Sequence, residues 1–191
     1  MLLPYQLIAP PPRNCYLFDL GASTYRNGRG GASQSWFIEQ YEKHGVHFDR
    51  IFAWEATVHK PEGIFGEKTG MPKHVLDRIS YYNVPVDATP GARYNPLRTL
   101  KDVVKVDDFV VVKVDIDTGN MEHAIMQQIA ADPELASLVD ELFYEHHVHL
   151  SPLARMGWSG KTLRTTNLTL SDSYAFFSRL RNLGIRAHSW V

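Results

Sequence analysis

Apolar residues in this chain gather in short runs, and stretches with helix-like spacing lie between them. The run CYLFDL at 15–20 predicts a strand stopped by Gly21. SQSWFIEQYEKHG at 33–45 follows as a helix, with Trp36, Phe37, Tyr41 and His44 on its spacing and Gly45 as terminator. RIFAWEA (50–56) and ISYYNVPV (79–86) predict the second and third strands, with weaker helical material at 73–78 between them. FVVVKVDID, from 109, is a fourth strand and leads into a helix from 121 to 131. ELFYEHHVHL (141–150) is a fifth strand. SDSYAFFSRLRNLG (171–184) is a helix that Ser171 caps and Gly184 ends, and IRAHSWV is a final strand. Strands alternating with helices imply right-handed crossovers, so the expected class is α/β: a doubly wound, mainly parallel sheet with helices on both faces. The triple proline in MLLPYQLIAPPPR makes residues 1–13 an extended arm, and 14–191 reads as a single domain.

Ligands of an open parallel sheet bind beyond the carboxyl ends of the strands, so each polar residue is judged by its place on a strand. Asp19 ends the first strand, Glu55 the second, and Asp87 follows the third. Asp115 and Asp117 end the fourth; Glu145, His146, His147 and His149 end the fifth. The loop GASTYRNGRGG, with Gly21, Gly28, Gly30 and Gly31, reads either as a nucleotide cradle or as a flexible connection, since its spacing is not GxGxxG. Glu55 at the next strand tip is placed to accept from ribose hydroxyls, or is a solvated acid.

Alternation along the fourth strand puts Lys113, Asp115 and Asp117 on one side. They are either a catalytic or metal-binding set or a structural pair of Lys113 with Asp115, with Asp117 and Thr118 capping the next helix. In the fifth strand Glu145, His147 and His149 share a face and His146 lies on the other. With Asp115 from the neighbouring strand, these histidines form either a zinc, iron or manganese site or a general base at His146 or His147, and the base is preferred.

FDLGAS, IFAWEA and VVVKVDIDTGNMEHAI together resemble the class I S-adenosylmethionine-dependent methyltransferases, in particular the FkbM-like family, over residues 15–150. The resemblance implies a Rossmann-like methyltransferase sheet with S-adenosyl-L-methionine as cofactor. Asp19 would organise the first loop, and Gly21 with its neighbours Ala22 and Ser23 would meet the methionine part. Glu55 would take the ribose and Asp87 the adenine amino group. It also implies O-methylation of a small-molecule acceptor with Asp115 beside the methyl group. The chain departs from the pattern where Ser23 to Arg26 precede Asn27-Gly28, where Asp117 stands for Glu, and where Gly119 comes one residue late. The usual seventh strand has no counterpart after the sixth, so the edge is expected to be covered by the arm or by a second subunit in a homodimer, unless the sequence is a trimmed one. The competing readings are a metal-dependent hydrolase or oxygenase using the His/Asp cluster, and a non-catalytic cofactor-binding module.

Composition narrows the partners. Over 191 residues, 44% hydrophobic content is enough for a sizeable core, and a formal net charge of −1 offers no electrostatic reason to expect nucleic acid or an anionic membrane. Cys15 is the single cysteine, which excludes an intrachain disulfide; with no signal-like leader, the expected setting is a reducing, cytoplasmic one.

Overall fold

The computed structural model of the protein describes residues 11–26, 34–148 and 167–190. Six strands form one sheet: β1 Cys15–Leu20, β2 Arg50–Trp54, β3 Ile79–Tyr82, β4 Phe109–Val114, β5 Glu141–Tyr144 and β6 Arg186–Ser189. All pairings are parallel, in the order β3-β2-β1-β4-β5-β6. The chain winds outward from β1 in one direction and from β4 in the other, so the order reverses between these two strands. A crevice at their carboxyl ends follows from that reversal.

The helices are α1 Gln34–Lys43, α2 Pro61–Phe65, α3 Lys73–Leu76, α4 Pro96–Val103, α5 Gly119–Ala131, α6 Pro133–Ser137 and α7 Leu170–Asn182, with a 3-10 turn at Glu67–Thr69. Side-chain alternation divides the core in two. Phe18, Leu20, Val110, Val112, Val114, Leu142 and Tyr144 point to one face, where Leu97 and Leu100 of α4, Ile125, Met126 and Ile129 of α5, and Phe176, Phe177 and Leu180 of α7 cover them. Leu17, Ile51, Val111 and Phe143 point to the other face, under Phe37, Ile38 and Tyr41 of α1 and Val75 of α3. The architecture is thus the doubly wound α/β sheet expected from the alternating pattern.

Several boundaries differ from expectation. β5 stops at Tyr144 instead of reaching 150, because Val114 of β4 and Ser189 of β6 are its last partners and no ladder remains beyond them. β2, β3 and β4 are likewise shorter than their apolar runs. α7 is capped by Thr169, not Ser171: Thr169 Oγ1 accepts from the Asp172 N–H, and the Asp172 carboxylate accepts from the Thr169 N–H at 2.7 Å. α5 starts at Gly119, two residues before the expected 121. α4 was not anticipated, although Asn95 accepts from the Leu97 N–H and Pro96 opens the first turn, both ordinary start signals.

Among the described residues β6 forms one edge of the sheet with no seventh strand beside it, and no helix is long and apolar enough to cross a membrane. Of the arm, only residues 11–13 are described, with the Arg13 N–H donating to the Asp107 carbonyl at 2.9 Å. Gly28, Gly30, Gly31 and His149 lie outside the described residues. Cys15 is buried, and burial followed by Asp49, Asp108 and Asp140 pushes its thiol up to about 12, which leaves it inert at neutral pH.

Candidate functional site

The rim between β1 and β4 is built around one buried ammonium. Asp19 and Lys113 face each other in the parallel register, and both are almost wholly buried. Lys113 Nζ donates to Asp19 Oδ1 at 3.1 Å and to the Gly21 carbonyl at 2.9 Å, and lies 3.4 Å from Asp115 Oδ2. Burial alone would drive this ammonium toward neutrality, but Asp19 and then Asp115 reverse that and hold its pKa above the ordinary lysine value. Gly21 is obligatory at the same place. Its φ is +83°, and a Cβ would stand 1.6 Å from the Asp115 carbonyl oxygen.

Above this rim opens a crevice of about 740 Å³, lined by Gly21, Ser23, Trp54, Glu55, His59, Val86, Asp115, Asp117 and Met121 among others. Glu55 is held at its mouth by two backbone donors: the Ser23 N–H reaches Oε2 at 2.8 Å and the Thr57 N–H reaches Oε1 at 2.6 Å. Each carboxylate oxygen keeps a second acceptor direction for a ligand hydroxyl. Tyr81 Oη donates to the Ser23 carbonyl at 2.6 Å, and Asn83 donates to the carbonyls of Glu55 and Thr57, so both loops are pinned from β3 and the residue after it. Among the described residues, Ser23 (φ 50°) and Asp117 (φ 55°) are the non-glycine residues with left-handed backbone, and both line this crevice. Such strain persists where surrounding structure enforces it, and it concentrates at ligand sites.

Asp115 Oδ2 takes both the Lys113 contact and a hydrogen bond from Trp190 Nε1 at 3.2 Å, while the residue lines the crevice. Side chains of Glu55, Asp115 and Asp117 therefore meet the space, and no lysine or arginine lines it among the described residues. A crevice of this charge suits a cationic ligand and disfavours a pyrophosphate.

Beyond β5 the alternation separates the histidines. His147 goes to the Asp115 side, where its Nε2 lies 3.1 Å from Glu122 Oε2 and 3.0 Å from Glu145 Oε2. Burial lowers its pKa, but Glu122 and Glu145 outweigh that and push it up to about 10, so the ring is an imidazolium at neutral pH with no lone pair to take a proton. His146 goes to the other face, stacked on Tyr144 with ring centroids 4.9 Å apart and with Nδ1 3.0 Å from Ser173 Oγ. Burial first, then His123 and His147, lower it to about 4. It is neutral, yet it borders a separate depression with His123, Gln127 and Arg179 instead of the crevice.

Of the expected residues, Gly21, Ser23, Glu55 and Asp115 are brought together at the crevice, and Asp19 underlies it as the partner of Lys113. Ala22 is buried, its N–H bonded to the Trp54 carbonyl at 3.0 Å. Asp87 is not part of the lining, although its neighbours Pro85 and Val86 are; the Thr89 N–H binds its Oδ1 at 2.8 Å and holds its carboxyl below the usual range. Three residues passed over in the sequence matter here. Trp190 orients Asp115, and His59 brings an imidazole whose buried Nε2 has no hydrogen-bond partner among the described residues. Glu122 is the third, and its signal was legible: with Ile125, Met126 and Ile129 it occupies the buried stripe of α5, where a carboxylate is out of place without a purpose. No family model, no curated protein and no solved structure matches this chain.

Two outcomes follow from the charges. Lys113→Met leaves Asp19 buried without its cation, and the expected loss is about 3–5 kcal/mol in urea unfolding, partly recovered when Asp19→Asn is added; no recovery in the double variant refutes the pairing. For metal-free protein, the His147 contribution to stability is complete below its ordinary value of 6.5 and disappears as pH rises through about 10, because the folded state holds the proton more tightly. The destabilisation caused by His147→Gln, measured by denaturant midpoints across pH, should accordingly be greatest near pH 6 and shrink toward pH 10.

Proposed function

We propose that the protein is a methyltransferase that uses S-adenosyl-L-methionine and acts on an oxygen of a small-molecule acceptor. The observation that carries this reading is the carboxylate-lined crevice at the β1/β4 reversal, with Glu55 at the tip of β2 and no lysine or arginine in its wall among the described residues. The donor bears a sulfonium and an ammonium against one carboxylate, so its net charge is positive and complements such a wall. A dinucleotide or a sugar phosphate would bring anionic charge to the same acids.

In this reading Gly21 lets the backbone approach the methionine part, the free acceptor directions of Glu55 receive the ribose hydroxyls, and Trp54, Val86 and Met121 give an apolar flank to the base. Asp115 stands at the sulfonium, held by Lys113 and Trp190 through the same oxygen, Oδ2. As the methyl group moves, its bond to sulfur breaks and its bond to the acceptor oxygen forms; the acceptor proton passes to a carboxylate of the wall or to water. Holding donor and acceptor in line with water excluded provides most of the acceleration. His147, as an imidazolium, and His146, on the far face, are not assigned the base role.

Calorimetry with S-adenosylhomocysteine tests the binding claim. Glu55→Ala should weaken it by about 1.5–3 kcal/mol, roughly ten- to a hundredfold, with the far-ultraviolet spectrum unchanged. Absence of binding to the parent protein by either S-adenosylmethionine or S-adenosylhomocysteine sinks the reading. Asp115→Asn separates the charge from the shape: it should weaken the sulfonium compound about tenfold more than the neutral sulfide, about 1.4 kcal/mol. An equal effect on both ligands means that Asp115 does not stand at the sulfonium.

A further inference from the structure

Asp117, Glu145 and His147 present one donor atom each within 4.8 Å of one another, in the turn after β4 and just beyond β5. Glu122 Oε2 joins them, 3.1 Å from His147 Nε2. Glu122 is fully buried and Glu145 is 8% exposed. Among the described residues neither Glu122 Oε2 nor Glu145 Oε2 has a hydrogen-bond donor of good geometry; both close on the same ring nitrogen instead. A single Nε2–H points at one acceptor, so it does not satisfy two buried oxygens. Three carboxyl groups also crowd one imidazole in a largely buried place.

We infer that Asp117, Glu122, Glu145 and His147 form a binding site for one first-row divalent cation, of the Mn²⁺ or Zn²⁺ kind. A single imidazole nitrogen with carboxylate oxygens suits Mn²⁺, Fe²⁺ or Zn²⁺; Ca²⁺ asks for six to eight oxygens and Mg²⁺ for mostly water and phosphate. Ligands about 2.1 Å from one ion lie about 3.0–4.2 Å apart, so the separations among Asp117, Glu145 and His147, within 4.8 Å, require only small side-chain shifts. The ion lies at His147 Nε2 and is bonded by the carboxylate oxygens that flank that nitrogen. Glu122 is already oriented for this, since its Oε1 accepts from the Ile116 N–H at 2.7 Å. Gly119 supports the ring from below: its Cβ position would be 3.1 Å from His147 Cβ. Asp117 is exposed and lines the crevice, so the coordination positions left to the ion open toward whatever binds there. The inference does not rest on the methyltransferase reading, because the ion binds or fails to bind whatever fills the crevice.

The test uses the full chain, stripped with EDTA and titrated with Mn²⁺ alone, free Mn²⁺ being read by electron paramagnetic resonance, and with Zn²⁺ by calorimetry. One equivalent of either ion should bind, and Asp117→Asn should weaken it at least about tenfold. Asparagine tolerates the left-handed backbone at 117, so this variant keeps its fold and its thermal midpoint without metal. His147→Gln should abolish binding. No binding of either ion to the parent protein at submillimolar concentration overturns the site, and so does binding that is unchanged in Asp117→Asn, which would place the ion elsewhere.

Discussion

The ammonium of Lys113 is the interaction on which the functional end of this fold depends. It lies where the strand order reverses, between the two central strands, and it neutralises Asp19 while holding the carbonyl of Gly21. Without it a carboxylate would be buried at the base of the crevice, at a cost of several kcal/mol. With it, β1 and β4 end at the same level, the Asp115 N–H reaches the Leu20 carbonyl at 3.1 Å, and the Gly21 turn lies so close to Asp115 that no side chain fits between them. The same cation then reaches Asp115, so a structural pair and a site carboxylate are one network. The two readings of the acids at the end of β4, packing or chemistry, therefore do not exclude each other.

The period-two geometry of a strand decides most of the rest. Asp19 and Lys113 take the alternate positions to Phe18, Leu20, Val112 and Val114, whose face α5 and α7 pack, while beyond the end of β5 His146 meets His123, Phe176 and Phe177 and His147 meets Glu122 at the start of α5. Two adjacent histidines of similar sequence context thus receive opposite environments. One sits among carboxylates and holds its proton; the other sits among aromatic rings and gives it up. Neither state suits a proton acceptor within the crevice at neutral pH, and that is a consequence of position, not of residue type.

The α/β class, the sheet faces and the positions of Asp19, Gly21, Glu55 and Asp115 were legible in the sequence, because each depends on local pattern: an apolar run, its alternation and the glycine that ends it. Long-range pairing was not legible. Whether β5 continues past Tyr144 depends on how far β4 and β6 extend beside it, which no local window encodes. Trp190 meets Asp115 across 75 positions of sequence, and Asp87 turns out of the crevice through a local bond to Thr89 that an end-of-strand rule does not foresee. Glu122 was legible by its helical period, which puts it on the buried stripe of α5 with Ile125, Met126 and Ile129.

Charge distinguishes the two halves of the site. At the β1–β2 half the carboxylate of Glu55 is anchored and aimed by backbone donors, Ser23 and Thr57. At the β4–β5 half Lys113 and His147 stand among Asp115, Glu122 and Glu145, and these contacts hold the carboxylates in place. The first half keeps net negative potential for an arriving ligand; the second stores it in a cluster that only a proton or a metal cation can enter. Asp117 links them, because it faces the crevice while its carboxylate belongs to the cluster.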